Sequence, residues 1–517
     1  MKYDVVIIGS GLGGLQCAYT LAKKGMHVCV LERASVLGGC IQSFIRKGHT
    51  FDTGFHYVGG LDEGQPLHQL FSYYDLMGLD WQKMDPHFDE VNINGQSFFF
   101  AQGHDAFYDT LCEQFPHQKD NLKQYIDLLK KVGDHIFDSL QPRDATDFYS
   151  TSLFARSAKT FIDETISDPL LRDVVAGCSL KMELTPNLPL YTFAQINNSF
   201  IQSAYRLQGG GSTIANKLAS SIRQMGGEVR TKAPVTQLIE KDGKITAALV
   251  NKDEVIEADW FISNAHPVHT LSLVKESEVL RKIYRRRIGG LGNTYGIFTA
   301  NLIIKPNTIP YKGRNQYVYQ NANLWQYTPN KTDRVMVSYY KPSQSDSITQ
   351  VDLLTPMSWN EVEKWADKPI GRRGEDYVAM KNDKTNACID VVKTVLPQLK
   401  DSIEAVYTST PISYQTYTNT EKGSAYGIQK DYNSPMTTVL TPRTPIPNLL
   451  LTGQNLNLHG ILGVSMTSCF TCAEIIGMES VVESLRSKRA LRQAQGPKGN
   501  DSTITRLNDS TNKKNTD

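Results

Sequence analysis

Apolar positions cluster in short blocks along this chain, and their spacing predicts alternating strands and helices. Val5-Val6-Ile7-Ile8 is a continuous apolar run stopped by Gly9, too short for a helix and matching a strand buried on both faces. An Ala-rich segment from Leu12 predicts a helix, and Val28-Cys29-Val30-Leu31 a second buried strand. Further on, Gly209-Gly210-Gly211-Ser212-Thr213 opens a helix running to Met225, and Gly226-Gly227 ends it before a strand at Glu228-Val229-Arg230-Thr231. Val235–Ile239 and Ile245–Val250 flank Lys241-Asp242-Gly243-Lys244, which predicts a hairpin. Phe261–Ala265 and Leu449–Leu451 read as two more buried strands, the latter followed by a helix opening at Gly460. Leu122, Tyr125, Ile126, Leu128, Leu129, Val132, Ile136, Phe137 and Leu140 recur at helical spacing with Lys123, Lys130 and Lys131 between them. That stripe suits packing on neighbouring helices, or a membrane surface. After Arg486 periodicity is lost and a polar mixture follows, which predicts a disordered tail over 486–517.

The first strand–helix junction carries chemistry. Gly9, Gly11 and Gly14 form G-x-G-x-x-G with Gly13 inside it. The first glycine allows the tight turn, the second lets backbone approach a diphosphate, and the third lets the helix press on the strand. The helix N-terminus adds unpaired N–H groups and partial positive charge. Glu32 ends the second strand about 20 residues on, where a carboxylate accepts from ribose hydroxyls. Strand, helix and acid in this order make a strong dinucleotide signal. Glu32, Arg33 and a second glycine pair, Gly38-Gly39, form E-x(5)-G-G, which resembles the segment lining the FAD diphosphate in amine oxidase and phytoene desaturase flavoproteins. A third piece, Thr452-Gly453-Gln454-Asn455 with Gly463-Val464 in the following helix, places a helix N-terminus against the flavin's pyrimidine edge. The three pieces point to FAD. In this flavoprotein class the residue at the Val235 position touches the adenine through its backbone.

Composition narrows the rest. The chain has 517 residues, 40% hydrophobic and 21% charged, enough for two or more cores. A net charge of +2 gives no support to nucleic-acid binding. No secretory signal or membrane-spanning run is read, and eight scattered cysteines suit a reduced, cytoplasmic protein, with peripheral contact at the inner face of a membrane left open. Cys469-Phe470-Thr471-Cys472 lies in an apolar helix and reads as packing instead of redox chemistry. The Arg285-Arg286-Arg287 run reads as a solvated face. Histidines and carboxylates lack metal-ligand spacing, so no metal is expected. The expected fold is α/β: a discontinuous, glutathione-reductase-like Rossmann domain for FAD over 1–65, 205–270 and 425–485, under an α+β substrate cap over 66–204 and 271–424. The first cap segment is read as helix-rich. No second G-x-G-x-x-G follows a strand, since Gly289-Gly290-Leu291-Gly292 lacks one. Electrons therefore come from NAD(P)H bound without its own domain, or pass between the flavin and another protein, a quinone or oxygen.

Leu37-Gly38-Gly39-Cys40, Phe51-Asp52-Thr53-Gly54-Phe55-His56-Tyr57 and Thr452-Gly453-Gln454-Asn455 resemble the phytoene desaturase, carotenoid isomerase and retinol saturase group. The G-x-H-Y form, Ser358-Trp359, Arg372–Tyr377 and Gly423–Gly427 look most like its retinol saturase (all-trans-retinol 13,14-reductase) branch. The resemblance implies an FAD oxidoreductase acting on C=C bonds of a lipophilic polyene, with reduction favoured and desaturation or cis–trans isomerisation as alternatives. A flavin-binding redox sensor without turnover is the alternative of another class. Saturating a double bond needs a hydride and a proton. His56 and Tyr57 are the candidate proton donors, equally readable as ordering the loop. His459 is a second candidate more suited to a structural role, and His266 is read as structural.

Overall fold

The computed structural model describes residues 2–140, 152–340, 342 and 345–495. The apolar run at the start forms strand β1 (Lys2–Ile8), followed by helix α1 (Leu12–Lys23) and strand β2 (Val28–Leu31). Every side chain from Val5 to Ile8 is buried, as a strand covered by helices on both faces requires. β1 lies at the centre of a seven-stranded sheet with β2 and Glu228–Arg230 on one side and Glu254–Ser263 on the other. These contacts are parallel, and Leu449–Leu451 adds a further parallel partner to Glu254–Ser263. The hairpin Val235–Lys241 and Lys244–Val250 completes the sheet antiparallel, with Asp242 at φ 52° in its turn. Helix Gly460–Ile476 packs on α1 across the sheet face, and Cys469 and Cys472 are buried there as free thiols.

A second seven-stranded sheet stands over the first, in the order 403–409, 296–304, 350–357, 334–340, 315–319, 87–93, 96–101. The hairpin His87–Ile93 and Gln96–Ala101 thus places strands in a segment read as helix-rich. Its apolar residues include a short aromatic block (Phe98, Phe99, Phe100), and the hairpin joins the sheet only through His87–Ile93, which pairs with Asn315–Tyr319 over 200 residues away. Val58–Gly59, Trp81–Lys83 and Ala204–Leu207 form a small third sheet joining the two layers.

Of three further expectations, packing of the amphipathic stripe on its neighbours is met and two change. The amphipathic stripe is helix Lys119–Asp134, then a separate turn at Asp138–Leu140, and Leu122, Tyr125, Ile126, Leu129 and Val132 are all buried in the protein's own core. Arg286 and Arg287 are exposed, as a solvated face expects, but the Arg285 guanidinium donates to the Leu271 and Val274 carbonyls and closes the end of helix Pro267–Leu273. Helix Met478–Gln495 runs through Arg486, because Val481, Val482 and Leu485 anchor it on the core and Ala490, Leu491 and neighbouring Arg and Gln residues favour helix. The rest of the expected tail, 496–517, lies outside the described residues. No helix among the described residues is long and apolar enough to cross a membrane.

Candidate active site

A cavity of about 550 Å³ runs from the edge of the first sheet into the space beneath the second. Its floor is built from the glycine segments. Gly9, Gly11 and Gly13 line it, as do Glu32, Arg33, Gly38, Gly39, Val235, Gly453, Gln454, Gly463 and Val464. Gly14 does not. It sits where a Cβ would lie 2.2 Å from the Gly9 carbonyl oxygen, so α1 can press on β1 only with glycine there. Gly38 has φ 112°, a left-handed conformation that turns the second glycine pair back to bridge Gly11. Asn264, at the end of strand Glu254–Ser263, wedges among Gly11, Gly13 and Gly453; no sequence motif marked it.

Two helix N-termini face this floor. α1 begins at Gly11 with no side-chain cap and no acid in its first turn. Helix Gly460–Ile476 begins after His459, also uncapped and without an early acid. Both leave N–H groups and positive dipole ends for an anion. Glu32 is held in place: Oε2 accepts from the Ser10 N–H at 2.9 Å and Ser10 hydroxyl at 2.7 Å, and Oε1 from the Ala34 N–H at 2.8 Å. A carboxylate has about four acceptor directions, so it retains capacity for ribose hydroxyls. A cradle in which added Cβ atoms collide, two open helix N-termini and a fixed acid fit a dinucleotide.

The family described as flavin containing amine oxidoreductase matches residues 12–367. The chain belongs to that family. Among its relatives, the Rattus norvegicus all-trans-retinol 13,14-reductase is 26% identical over 550 residues, spanning 96% of this chain and 89% of the other. The Arabidopsis thaliana chloroplastic prolycopene isomerase is 24% identical over 457 residues, spanning 82% and 74%. The solved structure of wild-type putrescine oxidase bound to putrescine superimposes with a TM-score of 0.62 at 17% identity, covering 92% of this chain and 99% of that one, and shows the fold alone. As a family member the protein is an FAD-dependent oxidoreductase, with a Rossmann-like FAD domain and a cap domain.

Above the floor the cavity wall is apolar and aromatic, with Leu180, Ile196, Phe200, Ile297, Met336 and Leu354 among its residues. His56 and Tyr57 both line it, but their polar atoms diverge. His56 Nδ1 lies 3.3 Å from the Tyr340 hydroxyl and 3.9 Å from Asp352 Oδ2. Burial, with the nearby Arg206 charge, lowers its pKa to about 4, so the ring is neutral at pH 7. Asp352 is fully buried; Oδ1 accepts from Asn301 at 2.7 Å, and the Tyr340 hydroxyl interacts with the same carboxyl. Burial raises its pKa to about 7, with the neighbouring Asp52 adding and Asn301 and Arg206 opposing. Asp52 itself is pushed up to about 6 by burial, although Ser43 and the Gly211 N–H donate to it.

The Tyr57 hydroxyl turns the other way, donating to Asp89 Oδ2 at 2.8 Å and lying 2.6 Å from the Tyr317 hydroxyl. Lys181 pairs with the same carboxylate oxygen at 2.9 Å, its ammonium 4.1 Å from the Phe200 ring centre. Burial and the Asp89 charge hold the Tyr57 phenol well above its ordinary range, so its proton is tightly kept. His459 Nε2 donates to the Lys181 carbonyl at 3.1 Å, with its ring 4.7 Å from Tyr426. His266 accepts from the Val268 N–H and caps helix Pro267–Leu273, and its Nε2 bonds Asn293. Asp89, Lys181, Tyr317, Tyr340 and Asp352 had not been singled out by sequence. Lys181 ends the short 3-10 helix Ser179–Lys181 and the others lie in strands, so each reaches the site only through tertiary contacts.

Proposed function

We propose that the protein reduces a C=C bond of a lipophilic polyene, retinoid- or carotenoid-like. The observation that carries this reading is the continuity of the glycine-lined cradle with an apolar, aromatic wall that can hold a conjugated chain flat and dry. Similarity to all-trans-retinol 13,14-reductase along nearly the whole chain supports it. Reduced FAD, when bound, supplies the hydride. The protein supplies position, exclusion of water, and the proton. His56 is the preferred donor, because Tyr57 holds its proton against Asp89. With Nδ1 turned to Tyr340 and Asp352, Nε2–H gives the proton to the substrate carbon. In the same step, so that no imidazolate forms, Nδ1 takes a proton from the Tyr340 hydroxyl and Tyr340 takes one from the Asp352 carboxyl beside it. The C–H bond formed balances the N–H bond lost, and Asp352 is left as carboxylate, to be reprotonated between turnovers. NAD(P)H is a candidate external reductant.

The test is a panel of retinoids, carotenoids and aryl polyenes offered to the reduced holoenzyme without oxygen, with products identified by mass. A product gaining two hydrogens is expected. Loss of two hydrogens, with electrons passing to a quinone or oxygen, would instead make it a desaturase. A product of unchanged mass and altered geometry would favour cis–trans isomerisation, the second reading, which similarity to prolycopene isomerase supports.

A further inference from the structure

We infer that Lys430 is a buried cation that balances the negative charge of the bound dinucleotide's diphosphate, acting from behind the cradle and not by touching the cofactor. The inference rests on the reading of the cradle as the diphosphate site and is independent of the substrate. Lys430 is buried, and its ammonium donates to the Thr438 carbonyl at 2.9 Å and the Asn455 carbonyl at 2.8 Å. No carboxylate pairs with it among the described residues. Asp431, next in the chain, turns to Asn187 and Asn433, and Glu183 accepts from Gln429. Two carbonyl dipoles do not offset the desolvation of a whole charge, and lysines are almost never buried without an acid. Burial accordingly lowers its pKa to about 7.

Its place in the fold names the anion it serves. Gly453, Gln454 and Asn455 line the cavity. The Asn455 side chain accepts from the Ile428 N–H and the Leu440 N–H donates to the Leu456 carbonyl, so the segment carrying Lys430 is stitched to the back of that turn. The charge of Lys430 also reaches His459, at the start of helix Gly460–Ile476, and His266, two residues beyond Asn264. Asn264 and Gly453 meet at Gly11 and Gly13, where backbone comes closest to a diphosphate. The uncapped helix N-termini there are each worth roughly half an elementary charge, less than a diphosphate brings. Of the cations lining the cavity, Lys181 is neutralised by Asp89, and Arg33 is exposed and donates to the Thr416 carbonyl. A charge enclosed in protein is little screened, so Lys430 needs no direct contact to act.

The test compares the wild type with Lys430→Gln, which keeps N–H donors without the charge, and Lys430→Arg, which keeps the charge. Each apoprotein is titrated with FAD and with riboflavin, which lacks the diphosphate. FAD binding is also followed by calorimetry in buffers of different ionisation enthalpy. Lys430→Gln is expected to weaken FAD about tenfold and riboflavin by less than about twofold, while Lys430→Arg stays within about threefold of the wild type for both. The bound diphosphate raises the ammonium pKa from about 7, so above pH 7 the wild type takes up protons as it binds FAD. Both variants are expected to take up fewer. His266 and His459, lowered to about 4 by burial, stay neutral there, and the Glu183 carboxyl, pushed up to about 7 by burial, titrates alike in all three proteins. Wild-type FAD affinity in Lys430→Gln, a loss shared equally by riboflavin, or proton uptake unchanged in both variants overturns the inference. Should the Arg side chain not be accommodated, the ratio of FAD to riboflavin affinity in Lys430→Gln decides. Failure of the cradle itself is distinguishable, since Gly14→Ala then keeps wild-type FAD affinity whatever Lys430→Gln does.

Discussion

Replacing Gly14 with alanine tests the cradle at its tightest point. The added Cβ would sit 2.2 Å from the Gly9 carbonyl oxygen, 3.2 Å from Asn264 Cβ and 3.3 Å from Ile7 Cγ2. The first of these is backbone in a β-strand turn and cannot rotate aside. Relief to an ordinary contact requires α1 to retreat from β1 by about 1 Å, an overpacking expected to cost about 1–3 kcal/mol of stability. The same retreat carries the Gly11 end of the helix away from the diphosphate, whose binding depends on close N–H approach. We expect an FAD dissociation constant raised about tenfold or more, equivalent to about 1.4 kcal/mol. The assay is FAD titration of the apoprotein, with thermal unfolding alongside. Gly78→Ala serves as control, because its Cβ meets nothing within 4 Å. A Gly14→Ala protein with wild-type FAD affinity and melting temperature would refute the close packing on which the cradle rests.

Glu32→Ala removes an acceptor from the Ser10 and Ala34 N–H groups and, as we propose, from ribose, and should weaken FAD binding by about 1–3 kcal/mol in equilibrium dialysis. An unchanged affinity would displace Glu32 from the ribose site. In the proposed mechanism the acid limb of proton delivery belongs to the Asp352 carboxyl, whose pKa burial raises to about 7. Turnover should therefore fall as pH rises through about 7, and Asp352→Asn should be slower and lack that limb; a variant with the wild-type profile excludes Asp352 from the relay. His56→Phe should slow reduction about 100-fold or more while the flavin spectrum stays that of the holoenzyme. Equal turnover in that variant removes His56. Tyr57→Phe should lower stability by about 1–3 kcal/mol, because the buried Asp89 and Tyr317 each lose a hydrogen-bond partner, and alter turnover far less than His56→Phe.

The floor of the site was legible in the sequence because it is local. Gly9 to Gly14, Glu32 and Gly38-Gly39 fall within one β–α–β stretch, and backbone approach restricts those positions to glycine. Buried strands announced themselves as apolar runs, as at Val5–Ile8 and Leu449–Leu451. The wall was not legible, because its meaning lies in pairings far apart in the chain: His56 meets Tyr340, Tyr57 meets Tyr317, and Asp352 meets Asn301 across neighbouring strands. Asp352 stands in Gln350–Met357, where an acid in a strand carries no signal until its burial is known. Lys430 likewise reads as an ordinary loop lysine until its burial behind Asn455 is known. Arg285 and the helix past Arg486 were misread for a related reason, since charge runs and polar tails look alike whether or not a tertiary partner or local helix propensity orders them.

The most direct measurement of the central claim is an anaerobic single turnover. Holoenzyme reduced with one equivalent of dithionite is mixed with all-trans-retinol, while visible flavin absorbance and the polyene spectrum are followed together. Flavin reoxidation matched one for one by loss of a conjugated double bond, with a product two hydrogens heavier, is the predicted result. Reduced flavin that persists in the presence of every polyene tried, yet is reoxidised at once by oxygen, contradicts it.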